Sequence, residues 1–272
     1  MYRTSKWMWI ALAILALGLV AAISGGPTAK APRNIVDNTQ TLAPGIPTFS
    51  GTDTIVITPV FTFPVHGFAA NALELPEHFG THVDAPFHFA GPGHLFVNEI
   101  AVQDLVGPAV VVDVRDNVAS DEDYRLTVTD LQAWERRHGR IPRGAIVIMF
   151  SGWGERWGDP DAYRNFHDGA LHFPGFSAES VSWLLDHRDI VGIGIDTLSA
   201  DYGPSTDFIV HHIINGANKW AVENLANLDQ TPASGGLMVV SPMKIQSGTG
   251  GTARAYTLFN FDGGRTSGPA PG

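Results

Sequence analysis

Cysteine is absent from all 272 residues. That absence excludes disulfides, thiolate metal ligands, a cysteine nucleophile and a lipid anchor on an N-terminal cysteine. Charge is sparse as well. Only 16% of residues are Asp, Glu, Lys or Arg, and 27 acidic residues outnumber 17 basic ones, for a net charge of −10. The basic residues are scattered, so the chain lacks the positive patch that nucleic acid requires and does not attract anionic lipid. No internal repeat occurs, and no dinucleotide fingerprint is present. The glycine-rich stretch 248–251 lacks the lysine–hydroxyl ending of a phosphate-binding loop. Any metal chemistry therefore falls to carboxylates and to the 11 histidines.

The longest apolar run lies at the N-terminus. Arg3 and Lys6 precede a run from Trp7 to about Ile23, and Ala22 and Ser24 are small residues placed for cleavage before Gly25. The expectation is a signal peptide over residues 1–24, with an uncleaved N-terminal anchor as the alternative, and a protein that is exported (periplasmic or extracellular). Membrane association is expected only if this segment stays attached. Residues 25–45, rich in Gly, Pro, Thr and Asn, read as an irregular tether, and 46–265 as one catalytic domain.

Within that domain the densest chemistry is His78-Phe79-Gly80-Thr81-His82-Val83-Asp84-Ala85-Pro86-Phe87-His88. Its three imidazoles and one carboxylate all occupy even positions, which an extended chain points to one side. A straight strand spreads His78 and His88 about 33 Å apart. His82 and Asp84 are thus the first pair, with Gly80 bending the chain to return His78 and Pro86 ending the strand so that His88 turns back. Neutral imidazole with carboxylate oxygen is the ligand set of catalytic Zn²⁺ and Mn²⁺.

The pattern His78-x-Gly80-Thr81-His82-x-Asp84-x-Pro86-x-His88 resembles the signature of the cyclase family of metal-dependent hydrolases, which includes bacterial kynurenine formamidase and isatin hydrolase. The resemblance implies that His78, His82 and Asp84 bind metal and that His88 is the catalytic acid/base. Three further stretches are similar to the family: Ser151-Gly152-Trp153, His172-Phe173-Pro174-Gly175-Phe176-Ser177, and Lys244 to Arg254. Together they extend the likeness from about residue 45 to 262.

Continuous apolar runs at 109–114, 145–150 and 190–195 read as buried strands, alternating with helices capped at Thr129 and Ser177. The fold class is α/β, a single domain with a largely buried mixed sheet flanked by helices; by resemblance it is the cyclase-like swivelling β/β/α fold. Thr54 to Thr58 is β-rich, and Phe61, Phe63 and Phe68 beyond it read as core or as the wall of a flat aromatic pocket.

His211 and Glu223 are twelve residues apart, about 18 Å along one continuous helix, too far to share an ion. Asn215-Gly216 supplies a helix stop between them, and Trp220-Ala221-Val222 reads as a strand leading to Glu223. On residues alone His211 and His212 are equal candidates, and Glu223 is an ordinary strand-end carboxylate. The resemblance selects His211 and Glu223. In kynurenine formamidase-like members such a pair completes a two-metal site bridged by the aspartate, whereas isatin hydrolase-like members use one manganese. Trp153 and Phe63 are the candidate substrate contacts, each with a buried structural role as its alternative. His66, His94, His167 and His172 read as structural. Asp196, Thr197, Asp201 and Tyr202 stand at a strand end, where α/β domains place ligand-orienting groups.

The expected activity is metal-dependent hydrolysis, with one or two Zn or Mn ions, of amide-type C–N bonds in small aryl or cyclic amides. A non-catalytic exported metal or ligand carrier is the alternative, and a purely structural metal is a third reading. The expected partners are a small-molecule substrate and further copies of the chain in a dimer or tetramer, with no nucleic acid.

Overall fold

The computed structural model describes residues 34–260. The expected signal segment, residues 25–33 of the expected tether and residues 261–265 of the expected domain lie outside them.

Eight strands form the main sheet. They are β1 (Ile35–Asp37), β4 (His82–Asp84), β5 (Val106–Asp113), β7 (Ala145–Phe150), β11 (Ile190–Ile195), β12 (Trp220–Glu223), β13 (Gly236–Pro242) and β14 (Gly250–Leu258). The run β5-β7-β11-β12 is parallel. β4, β13, β14 and β1 pair antiparallel with their neighbours. Because β4 pairs with β12 on one side and with Gly250–Thr252 of β14 on the other, seven strands close into a mixed barrel, and β1 flanks β14.

Residue alternation along the strands divides the core in two. Ala109 and Val111 of β5, Ile146 and Ile148 of β7, Val83, Val222 and Val240 fill the barrel. Val110, Val112, Val147, Met149, Ile193 and Ile195 face outward under the helices Val128–His138 and Ala178–His187, meeting Leu131, Trp134, Val181 and Leu184. Both faces are buried, which is why these strands are continuous apolar runs. Each Val, Leu, Ile or Met among them contributes about 1.5–3 kcal/mol on full burial.

The expected fold class holds, with three local corrections. Residues 35–37, read as tether, form a strand because the edge of β14 offers them a ladder, and Asn38 behind them is buried against Ala226, Thr231 and Thr257. The helix Val128–His138 is capped by Thr127, not Thr129. Thr127 and Asp130 satisfy each other's backbone N–H in a capping box, and only that spacing permits it. Phe61, Phe63 and Phe68 are not core. They belong to a solvent-facing hairpin of β2 (Val56–Phe61) and β3 (Ala70–Glu74), with exposures of 39%, 70% and 52%. Ser177 does cap the helix Ala178–His187, its Oγ accepting from Ser180 N–H at 3.1 Å.

Two pairs of two-residue strands complete the fold: β6 (Arg125–Leu126) with β10 (Gly175–Phe176), and β8 (Phe166–His167) with β9 (Ala170–Leu171).

Candidate active site

The chain turns at Gly80 (φ +64°) into β4, and Pro86 opens a single helical turn, Phe87–Ala90. The left-handed backbone at Gly80 lets His78 double back. Val83 enters the barrel, so His82 and Asp84 point outward, toward the helix Ile209–Gly216. Two pairings bring in the rest. Glu223 stands opposite His82 in the β12–β4 ladder, and Gly250 stands opposite Asp84 in the β14–β4 ladder. A Cβ on Gly250 would come within 2.5 Å of the His78 ring, so glycine there makes room for the imidazole.

Four of the converging groups are almost fully buried: His82, Asp84, His211 and Glu223 are each no more than 4% exposed. His78 Nδ1 lies 2.6 Å from Asp84 Oδ1, and His82 Nε2 lies 3.3 Å from the same oxygen. His211 Nε2 is 3.4 Å from Asp84 Oδ2 and 3.1 Å from Glu223 Oε1, while His82 Nε2 is 3.5 Å from Glu223 Oε2. Two triads result, His78–His82–Asp84 and Asp84–His211–Glu223, with Asp84 in both.

The outer partners determine which nitrogen of each ring carries hydrogen. His82 Nδ1–H donates to Gly80 O at 2.9 Å, and His211 Nδ1–H donates to Asp201 Oδ2 at 2.7 Å. The Thr249 hydroxyl spends its hydrogen on Glu77 Oε2 (2.8 Å), so toward His78 Nε2 (3.0 Å) it accepts. His78 is therefore protonated on Nε2. When the rings are neutral, three lone pairs, His78 Nδ1 and the Nε2 atoms of His82 and His211, face inward upon carboxylate oxygens. With no cation between them, those carboxylates overcome the effect of burial and raise the pKa of His82 to about 9 and that of His211 well above the usual imidazole range. Asp84 Oδ2 is buried and has no hydrogen-bond donor. Acceptors facing acceptors in a dry site fit a divalent cation, and the N/O donor set suits Zn²⁺ or Mn²⁺.

Burial and the Asp84 charge raise the Glu223 pKa. Burial would also raise that of Asp84, but the surrounding imidazoles, His82 foremost, hold it well below the usual carboxylate range. His88 stands apart from both triads. Its ring stacks on His78 at 3.9 Å and 25°. Burial and the imidazoles of His78, His211 and His82 outweigh the attraction of Asp84 and push its pKa down to about 4, so His88 is neutral and able to accept a proton.

These groups floor a cavity of about 270 Å³ whose upper walls are Pro47, Thr48, Phe49, Phe89, Leu198 and Phe208. The rings of Phe89 and Phe208 lie 5.4 Å apart, those of Phe49 and Phe208 5.9 Å apart. No lysine or arginine lines the cavity among the described residues.

This fold matches those of known proteins. A family model described as "Putative cyclase" fits residues 36–202. The chain belongs to the putative cyclase family. Within the family it is 36% identical to isatin hydrolase from Roseibium aggregatum over 198 residues, 70% of this chain and 75% of the relative. It is 28% identical to kynurenine formamidase from Erythrobacter litoralis over 228 residues, 83% of this chain and 94% of the relative. The solved structure of isatin hydrolase A from Ralstonia solanacearum superposes with a TM-score of 0.79 at 35% identity, covering 96% of this chain and all of that one.

All five expected metal ligands and His88 meet in the one cavity. The two expected substrate contacts do not line it. Trp153 is 1% exposed, its indole N–H spent on Tyr163 O (2.7 Å) and its ring covered by the Arg156 guanidinium. Phe63 rides on the exposed hairpin. Of the strand-end group, Asp201 orients His211, while Asp196 accepts from Ser151 N–H and Oγ–H and from Gly154 N–H. Sequence reading missed Glu77 and Thr249 as orienting groups and Phe49, Phe89 and Phe208 as walls. Two of the walls left a signal: Phe89 follows His88 directly, and Phe208 sits one helical turn before His211.

Proposed function

We propose that this member of the cyclase family is a metal-dependent hydrolase that cleaves the amide-type C–N bond of small, flat, uncharged aryl or cyclic amides. The observation that carries this reading is the buried Asp84 carboxylate, faced by three imidazole lone pairs, with neutral His88 just outside them. His78, His82 and Asp84 would hold one Zn or Mn ion, and Asp84, His211 and Glu223 would hold a second. When bound, a divalent ion lowers the pKa of water toward about 7 and polarises the substrate carbonyl. His88 takes the proton of the attacking water and returns it to the leaving nitrogen as the C–N bond breaks. Phe49, Phe89 and Phe208 exclude water and offer faces to an aromatic ring. That no lysine or arginine among the described residues lines the cavity favours a neutral lactam or aryl formamide over a substrate bearing a free carboxylate. Isatin-like cyclic amides therefore rank ahead of amino-acid formamides.

The hairpin from Ile55 to Leu73 contains no Asp, Glu, Lys or Arg, yet Val60, Phe63, Val65, Phe68 and Leu73 on it are each more than half exposed. A continuous apolar arm of this kind is covered in solution, and a second copy of the chain is the occupant we infer. The charged-then-apolar N-terminal segment supports export.

The test is hydrolysis of isatin and of aryl formamides by purified protein of known metal content, with and without chelator. Chelator-sensitive turnover of either class supports the reading, and full activity in metal-free protein overturns it.

A further inference from the structure

Away from the cavity, the loop after the helix Arg115–Val118 meets the β8–β9 hairpin through a second cluster of imidazoles and carboxylates. His167 and His172 stack face to face, their centroids 3.8 Å apart and their planes within 6°. His172 Nδ1–H donates to Asp123 Oδ2 at 2.7 Å, which leaves the lone pair on Nε2. That Nε2 is shut off from solvent and meets no donor, and neither does Asp123 Oδ1. His167 has carboxylates at both ring nitrogens, Glu122 Oε1 at 3.0 Å and Asp168 Oδ2 at 3.4 Å, although a neutral ring has one hydrogen to give. Asn165 Nδ2 ties Glu122 Oε2 to the His172 carbonyl, aiming the other Glu122 oxygen at the rings.

We propose that Glu122, His167 and His172 form a second cation site, separate from the active site, for a borderline transition dication such as Zn²⁺. One ligand atom from each already lies within 4.8 Å of the others. Two nitrogens and one carboxylate oxygen are a zinc-type donor set with a coordination position left over. The Asp123–His172 pair follows the carboxylate–histidine–metal pattern, in which an outer carboxylate fixes the tautomer and raises the ring's basicity. A proton on His167 answers the surplus of acceptors around that ring alone and leaves His172 Nε2 unpaired; a dication answers both. Stacked parallel rings do not converge on a single ion, so coordination turns the His167 ring, which is 44% exposed. The bound ion links the hairpin to the 121–124 loop.

The experiment is equilibrium dialysis of tag-free, active-site-loaded protein against Zn²⁺, comparing wild type with His167→Ala and Glu122→Gln. Wild type is expected to take up one equivalent more than either variant, with equal rates of hydrolysis in all three. In the wild type the ¹⁵N resonance of His172 Nε2 is expected to shift as Zn²⁺ is added. Equal uptake in wild type and both variants, or a His172 resonance that ignores Zn²⁺, overturns the proposal and leaves a protonated imidazole stack.

Discussion

Glu223 stands directly across the β12–β4 ladder from His82, so the two side chains share a face of the sheet although they lie 141 positions apart in the chain. The pairing turns an ordinary strand-end carboxylate into a member of the site. Its Oε1 also accepts from Ala200 N–H at 2.8 Å, a bond that an amide oxygen can keep. Glu223→Gln is therefore expected to fold normally while bound metal falls from two equivalents toward one, since a neutral amide is a poorer ligand for a dication. Titration of metal into the apo wild type and variant counts the equivalents. Saturation of the wild type at one equivalent rejects the second ion.

His82→Ala and Asp84→Ala are expected to lose most of the metal and all measurable turnover. Asp84 belongs to both triads, and its removal should cost more metal than the loss of His82. Metal analysis after gel filtration decides this, and full occupancy in both variants rejects the ligand assignment.

His88→Ala separates the base from the ligands. Because His88 lies outside both triads, the variant should keep its metal while kcat drops roughly 10²–10⁴-fold. Metal lost in step with activity would place His88 among the ligands and leave the base unidentified.

Thr249 offers a finer test, because its hydroxyl relays the Glu77 charge to His78 and sets that ring's tautomer. Thr249→Val removes the acceptor at Nε2 and should weaken metal affinity about 10- to 100-fold, as loss of an outer-shell partner typically does. Thr249→Ser keeps the hydroxyl and should retain the affinity. Chelator competition on the three proteins gives the ratio; equal affinities in the wild type and Thr249→Val would show that the relay is idle.

The hairpin is expected to hold an oligomer together. Phe63 and Val65 are 70% and 77% exposed, so charging them costs the monomer little. Phe63→Asp with Val65→Asp should shift the molar mass measured by light scattering down to that of a single chain. An unchanged mass would move the interface elsewhere.

Local chemistry was readable in one dimension. The parity of His78, His82, Asp84 and His88, bent by Gly80 and ended by Pro86, reflects strand geometry and backbone freedom, both set within a few residues. The β5, β7 and β11 runs were equally plain, since a strand buried on both faces has to be apolar throughout. The helix cap was misplaced by two residues because Thr127 and Thr129 both satisfy a simple cap; only the reciprocal bond to Asp130 distinguishes them.

Tertiary structure decided what depends on partners far along the chain. His211 and His212 are equivalent in sequence, and the helix Ile209–Gly216 turns only His211 into the site and onto Asp201. Trp153 and Phe63 looked alike as aromatic substrate contacts, yet one is sealed against Tyr163 and the other projects into solvent, because burial is a property of what packs above a residue. The barrel closes through β4 pairing with both β12 and β14, a register no local pattern encodes. That closure sets Glu223 beside His82 and Gly250 against His78, and it brings Thr249, with Glu77 behind it, up to the His78 ring. Short-range geometry thus set the first triad of candidate ligands, and long-range strand pairing and helix packing completed the second.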